Sequence, residues 1–166
     1  ITNPGTNNLF AGLPIGTKTT GTDNAFYGKS AGASNTTGTY NVMFGSDAGA
    51  GSQNGSLNTL IGWFAGLTAT NSGSFNGNTF VGAQAGQAAT GGPNTFIGEK
   101  AGQATNTGTE NVFVGNRAGI ANTNGGRHTI LGYQANVSAP GLQNSTAIGF
   151  QAIVDATNKV RIGNNA

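Results

Sequence analysis

The sequence predicts an all-β protein in which one short repeat winds into a parallel β-solenoid. The motif Asn-x-apolar-apolar-Gly-x-x-Ala-Gly recurs about ten times in 166 residues, most often with 17 residues between successive motif glycines. No window has the apolar periodicity of a helix, and the 30 glycines oppose helix formation. A unit this short cannot bury its own apolar face, whereas stacked copies can. We therefore expect residues 1–166 to form a single solenoid repeat domain, a fragment of a longer fibrous protein.

The composition narrows the range of functions. Seven basic and five acidic residues are scattered along the chain, and the net charge is +2. Nucleic-acid binding needs clustered Lys and Arg to displace counterions from phosphates, so no nucleic-acid partner is expected. The absence of cysteine excludes a disulfide framework and thiolate metal sites. Glycine interrupts every apolar run, so membrane attachment is expected only through domains absent from this chain.

Each repeat is numbered here from its Asn, so that positions 1–5 of one copy are residues 94–98. The four residues before the motif Gly are predicted to form a strand because Val, Ile, Phe and Thr dominate there. A short second strand is predicted over the Ala/Gly segment, as at residues 84–88. The recurring Asn at position 1 has two interpretations that stay open: a stacked hydrogen-bonded ladder, or an Asx-type turn that ends the loop.

Positions 3 and 4 are both apolar in most repeats, although neighbouring side chains of a strand point to opposite faces. One face can line the coil beside small residues such as Ala85, Ala101 and Ala118. The other face would be a continuous exposed apolar stripe, which predicts an oligomer. The preferred arrangement places positions 2 and 4 inside and position 3 at the oligomer axis, and the reverse stays open. The predicted interface residues are Phe10, Phe26, Met43, Leu60, Phe80, Phe96, Phe113 and Ile130.

The segment Asn144-Ser-Thr-Ala-Ile-Gly149, with its downstream Gly/Ala unit, resembles the YadA-like head repeats of trimeric autotransporter adhesins. The resemblance extends over essentially the whole chain. It implies a left-handed parallel β-roll of about ten coils, with three chains packed side by side as a homotrimer. The period here is longer than is usual in that family, and Phe replaces its small residue at position 3. The trimer axis would therefore be wider or differently packed.

The long arrays of Asn-Thr-Phe-Ile-Gly, Ala-Gly and Asn-Thr-Thr-Gly segments, which end in residues 156–164, are similar to Bacteroidota-type surface and fibre proteins. In those proteins a self-cleaving chaperone of the phage tail-spike type often follows. The two resemblances imply an extracellular head or shaft segment of a cell-surface adhesin. Its partner would be a receptor or glycan on a host or neighbouring cell. The alternative is a receptor-binding tail-fibre segment on a phage or contractile injection-system particle.

The sequence does not predict an enzyme, a cofactor or a metal site. Catalysis needs converging acids, bases or nucleophiles, and the single histidine, His128, stands at the Asn position of its repeat. Asp155 and Arg161 form the one plausible close pair of charges. Ice binding by regular threonines is the alternative from another class, because position 2 is Thr in half the repeats. Its predicted burial inside the coil argues against that function.

Ligand-binding candidates lie where the repeat varies. Position 6 includes Trp63, Tyr133 and Phe150, which can stack on sugar rings or on a partner surface. The favoured alternative is that these rings lean inward beside the position 8 Ala. Phe75, in the longest repeat, and Tyr40, at a loop tip, are further candidates because irregular loops often have functional roles.

Arg161 occupies position 3 of the last repeat. With position 3 at a three-fold axis, three such side chains would converge and need an anion or water between them. We therefore predict that the apolar core ends near Ala147 and that the axis either opens or binds an anion at Arg161.

Overall fold

The computed structural model describes residues 6–14, 19–68 and 75–164. These residues form an all-β parallel solenoid of about eight turns. The strands in chain order are β1 (Leu9–Ala11), β2 (Ala25–Tyr27), β3 (Val42–Phe44), β4 (Thr59–Ile61), β5 (Thr79–Val81), β6 (Asn94–Ile97), β7 (Asn111–Val114), β8 (Thr129–Leu131), β9 (Asn136–Val137), β10 (Thr146–Ile148), β11 (Ile153–Val154) and β12 (Val160–Ile162).

The main sheet pairs each motif strand with its copy in the next coil. It has ten parallel strands in the order β1 to β8, then β10 and β12. Equivalent repeat positions lie directly opposite one another; Phe96, for example, pairs with Phe80 on one side and Phe113 on the other. The chain therefore stacks like on like along the whole sheet, as the repeat predicts.

Second strands form only near the C-terminal end of the described residues. The predicted strand at residues 84–88 is wrong, because Gln84 and Gly86 have φ of 59° and 56° and form a turn. Two-residue strands β9 and β11 form where the usual Gly at position 9 is replaced by Asn136 and Ile153, and the two pair in parallel. Without the positive φ of that Gly, the backbone is free to extend.

The interior of the coil is lined by position 3 and by the position 8 alanines. The predicted oligomer-axis residues are instead buried within their own chain, none more than 2% exposed: Phe10, Phe26, Met43, Leu60, Phe80, Phe96, Phe113 and Ile130. The rings of Phe80, Phe96 and Phe113 stack with centroids 4.8 Å apart. The preferred assignment of the two faces is therefore wrong, and the reverse arrangement is the one observed.

Glycine at position 9 explains why the large side chains point inward. A Cβ on Gly102 would lie 2.5 Å from the Phe96 ring, so the ring occupies the space that the missing side chain leaves. The alanines at position 8, directly before this glycine position, are fully buried, as expected for the small residues of the inner face: Ala85, Ala101 and Ala118. Large residues at position 3 and small ones at positions 8 and 9 fill the core together.

Positions 2 and 4 form the opposite side of the main sheet, here called the outer face. Its residues are partly or largely exposed in every one of the ten strands. Position 4 is aliphatic or aromatic throughout, and position 2 is Thr, aliphatic or Ala. One continuous apolar and threonine-rich surface therefore runs along the sheet.

Candidate binding surfaces

A ladder of buried asparagines runs beside the main sheet at position 1. In successive coils the Oδ1 atom of one Asn accepts hydrogen bonds from the backbone N–H and the Nδ2 of the next. Asn94 Oδ1, for example, accepts from these two groups of Asn111 at 3.0 and 3.1 Å. The Nδ2 of Asn111 also donates to the carbonyl of Gly125 at 3.0 Å. The ladder interpretation is thus confirmed, and its hydrogen bonds hold the loop against the strand in each coil.

His128 continues this ladder, as its repeat position indicates. Its backbone N–H donates to the Oδ1 of Asn111 at 3.0 Å, and its Nδ1 accepts from the N–H of Ser145 at 3.2 Å. The neutral ring therefore has its proton on Nε2, which is buried without a hydrogen-bond partner. Burial lowers the pKa of His128, because it disfavours the charged form of the ring. These contacts give His128 a structural role.

Three of the five acidic residues, Glu99, Glu110 and Asp155, pair with cations on the surface. Lys159 Nζ lies 2.7 Å from Asp155 Oδ1, and this hydrogen bond is the main reason why the pKa of Asp155 is lowered. Lys159 is thus the ion-pair partner of Asp155, and the charge of Arg161, predicted to lie close to Asp155, lowers the pKa of that carboxyl by a smaller amount. Within the described ranges no group of three His, Cys, Asp or Glu side chains could hold a metal ion, and no helix is long and apolar enough to cross a membrane.

The outer face has two parts that differ in chemistry. Near the N-terminal end Tyr27 and Phe44 stack with centroids 4.8 Å apart, and each is more than half exposed. A cleft of about 210 Å³ lies in this part, with apolar walls. In the middle, Thr59, Thr79 and Thr95 are opposite one another in three adjacent strands, beside the aliphatic position 4 side chains. Neither part contains a charged side chain.

Three of the predicted ligand-binding residues are solvent-accessible rings at position 6. Trp63 is 50% exposed and stacks on Phe64 with centroids 4.2 Å apart. Tyr133 and Phe150 are 46% and 60% exposed and stack on each other at 5.5 Å. The favoured alternative, in which these rings lean inward, is therefore wrong. Tyr40 is also exposed, with a φ of 58°. Ligand binding by these four residues stays a prediction.

Phe75 is not available to a ligand. It is 1% exposed and meets Phe80 edge-on with centroids 6.0 Å apart. Its carbonyl accepts from Asn58 Nδ2 at 3.0 Å. A Gly carbonyl has this role for Asn8, Asn24, Asn41, Asn94 and Asn111. Counting back three residues from Asn78 would have identified this position as part of the ladder. Phe75 belongs to the insertion at residues 72–77 that the sequence singled out as a candidate, and residues 72–74 of this insertion lie outside the described residues.

Arg161 ends the inner column. It follows Ala147, which is fully buried, so the apolar position 3 column ends there as predicted. Its predicted place on an axis between chains is wrong, because position 3 faces the inside of the coil. Arg161 is half-buried, and its Nε donates to the carbonyl of Gly163 at 3.1 Å.

A cleft of about 410 Å³, here called the C-terminal cleft, lies beside Arg161. Its lining residues are Gln134, Gln151, Ile153, Arg161 and Asn164. The sequence singled out Arg161 for this region but not the glutamines, whose column at position 7 becomes visible only when the coils are aligned.

No family model, curated protein or solved structure matches this chain. The parallel solenoid, its exposed outer face and the C-terminal cleft are therefore the observations from which a function can be argued.

Proposed function

We propose that this chain is a stiff, non-catalytic segment of an extracellular fibre that associates with copies of itself through the outer face. Three chains would pack side by side, as the likeness to YadA-like adhesin heads implies, in a left-handed roll of about ten coils. The assembly would serve as an adhesin head or shaft that presents its loops and corners to a receptor or glycan. A tail-fibre segment of a phage or injection system is the alternative setting for the same assembly.

The observation that supports the proposal is the apolar outer face. Side chains such as Phe44, Ile97 and Val114 are exposed by 36% or more on a flat sheet, and the face has no charge from β1 to β10. Ten strands about 4.8 Å apart extend this surface over roughly 43 Å. Contiguous apolar surface of this kind on a soluble protein marks an interaction site. Because like residues stack on like, an identical chain offers a matching partner surface along the whole length.

The oligomeric mass tests this proposal. Sedimentation equilibrium of the 166-residue chain should give three times 16.5 kDa, about 50 kDa. Ile97→Lys places a charge at the centre of the outer face without touching the core, so it should yield folded monomers. Thr107→Lys places the same charge on an exposed loop and should leave the mass unchanged. A wild-type chain that stays at 16.5 kDa at all concentrations would contradict the proposal.

Ice binding is a second candidate, because one observation favours it. The sequence argument against it was the burial of position 2, but Thr59, Thr79 and Thr95 are half-exposed in a row on the flat outer face. Valine interrupts the threonine row at β3 and β7, which shortens the regular array.

The two candidates use the same surface in incompatible ways. Ice binding requires an uncovered outer face, whereas the fibre segment buries it between chains. Thermal hysteresis by a monomer, lost in Thr95→Lys and kept in Thr107→Lys, would establish ice binding and exclude the fibre proposal. The fibre proposal predicts no hysteresis.

A further inference from the structure

The cleft of about 210 Å³ on the outer face, here called the Ala25 cleft, lies on strands β1, β2 and β3 and has apolar walls. In the parallel register Ala25 stands between Leu9 and Val42, which are both exposed. These two side chains are two coils apart, about 10 Å. The single methyl group of Ala25 therefore leaves a slot between them that a flat side chain can enter.

The aromatic rings that line the other side of this cleft do not fill it. Tyr27 stacks on Phe44 with centroids 4.8 Å apart and planes 7° apart, so the stack follows the spacing of neighbouring strands. Each ring thus turns its faces along the column and presents its edge outward. Because Tyr27 is held in this stack and is 57% exposed, it does not cover Ala25 of its own chain, and the slot stays open.

The two alanines of the outer face each share a strand with the largest side chain of the other column. Ala11 follows Leu9 in β1, and Leu9 is the largest residue at position 2. Ala25 precedes Tyr27 in β2, and Tyr27 is the largest residue at position 4. Within one chain the two positions belong to separate columns, so the packing of the coil gives no reason for this exchange of sizes.

A cyclic assembly gives such a reason. When the symmetry axis runs along the solenoid, the end of a strand in one copy lies beside the beginning of the same strand in its neighbour. Position 4 of one chain then shares space with position 2 of the next, and a small residue on one side accommodates a large one on the other. A shift by one strand would instead bring Leu9 against Tyr27, or Ala11 against Ala25.

From this pattern we infer that the copies associate in parallel and in register, with the Tyr27 ring of each chain inserted over Ala25 of its neighbour. A second copy thus contributes the side chain that completes the cleft. The inference rests on the proposed association through the outer face, and it adds the register of that association and the residue pair that fixes it.

An exchange of the two side chains tests the register. Ala25→Leu fills the slot and Tyr27→Ala removes the ring, so each variant should raise about tenfold the protein concentration at which half of the chains are assembled. The double variant Ala25→Leu/Tyr27→Ala has the same pair as β1. It should return this concentration to within about threefold of the wild-type value, because a change on one side of the interface compensates the other. Sedimentation over a series of concentrations measures all four proteins.

A matched double variant distinguishes the register from a stagger. Ala25→Leu/Phe44→Ala combines the same filled slot with the loss of the neighbouring ring, one strand away, and should assemble no better than Ala25→Leu alone. All these positions are on the outer face, so circular dichroism at high dilution should find every variant folded as a monomer. Losses of assembly are then due to the interface and not to the core.

The outcomes separate the register from the assembly itself. A wild-type chain that assembles, together with a double variant Ala25→Leu/Tyr27→Ala in which the two losses add, refutes the register and leaves the assembly standing. Restored assembly in Ala25→Leu/Phe44→Ala also refutes the register, because it shows a stagger of one coil. A wild-type chain that stays at 16.5 kDa at all concentrations refutes both, and the cleft is then open to a different molecule.

Discussion

The inner and outer faces of the main sheet have similar side chains but opposite surroundings. Phe96 and Ile97 are adjacent in β6, yet the first is fully buried and the second is 39% exposed. The chain itself provides the partners of Phe96: the rings of the neighbouring coils and the bare backbone of Gly102. For Ile97 the chain provides only the position 4 side chains of the neighbouring coils. The fold is thus complete on one face, and on the other it leaves an apolar surface that a second molecule can cover.

The largest loss of stability is expected from substitution of the motif glycine at position 5, which directly follows each strand of the main sheet. Gly98 has a φ of 131°, and a Cβ there would lie 2.5 Å from the carbonyl oxygen of Gly115 in the next coil. Gly98→Ala should therefore cost about 4 kcal/mol of unfolding free energy or prevent folding. Gly141→Ala, with a φ of 83° but nothing closer than 3.7 Å, should cost about 1–2 kcal/mol.

Urea unfolding followed by circular dichroism measures both glycine variants. Equal losses for Gly98→Ala and Gly141→Ala would show that strain in φ, and not the close contact between coils, makes the motif glycine necessary.

A loss of stability of similar size is expected from truncation of the inner face, and a much smaller one from truncation of the outer face. Phe96→Ala should lose about 3–5 kcal/mol, because it removes one ring from a stack and leaves a cavity. Ile97→Ala should lose less than about 1 kcal/mol in a monomer, since the side chain packs on one side only. In an assembly that covers the outer face, the loss for Ile97→Ala grows and depends on protein concentration.

Urea titrations at two protein concentrations check the truncation of each face. A loss for Ile97→Ala that equals that for Phe96→Ala at high dilution would contradict the assignment of the faces.

The smallest change in stability is expected at position 1, in the asparagine ladder beside the main sheet. In the folded chain the pKa of His128 lies below its ordinary value of 6.5, so the unfolded state takes up a proton first as the pH falls. The contribution of His128 to the free energy of unfolding is therefore fully present above about pH 6.5 and decreases as the pH falls below that value. His128→Asn restores the ladder residue, whose Nδ2 can donate to the Leu142 carbonyl as Asn111 donates to Gly125.

We expect His128→Asn to raise the free energy of unfolding by about 1 kcal/mol at pH 7.5. Between pH 7.5 and 5 this free energy should decrease less in the variant than in the wild type. Asp23 and Asp155 stay ionised over this range, because their pKa values lie below 3.8. Urea midpoints at the two pH values measure the difference, and identical pH dependence in both proteins would exclude His128 as its source.

The repeat predicted the solenoid and its register, but hydrophobicity could not decide which face is inside. Positions 3 and 4 are equally apolar, so the decision depends on what lies across the coil. The sequence does contain a signal for this: position 9 is Gly where position 3 is Phe, Met or Leu, and becomes Asn136 beside Ile130 and Ile153 beside Ala147. In those two coils the buried residues are Val137 and Val154, one position further on, whereas Ile153 is exposed. The glycine is thus lost where position 3 is no longer Phe, Met or Leu, and position 4 shows no such relation.

The candidate site was predictable only in pieces. Tyr133, Phe150 and Arg161 stand out in the sequence, but their neighbourhood depends on how the last coils stack. The repeat shortens before β12, so Arg161 is not aligned by the common period with the glutamines it joins. Phe75 was misassigned for a related reason, because the longest repeat hides its distance from the next ladder residue.

The central claim, that the outer face is covered by copies of the chain, is tested most directly by cysteine accessibility. The chain has no cysteine, so Val114→Cys on the outer face and Thr107→Cys on the exposed loop each introduce one thiol. A large maleimide should label Cys at position 107 rapidly and Cys at position 114 only after the assembly is diluted or unfolded. Rapid labelling of both positions in the native protein at high concentration would contradict the account.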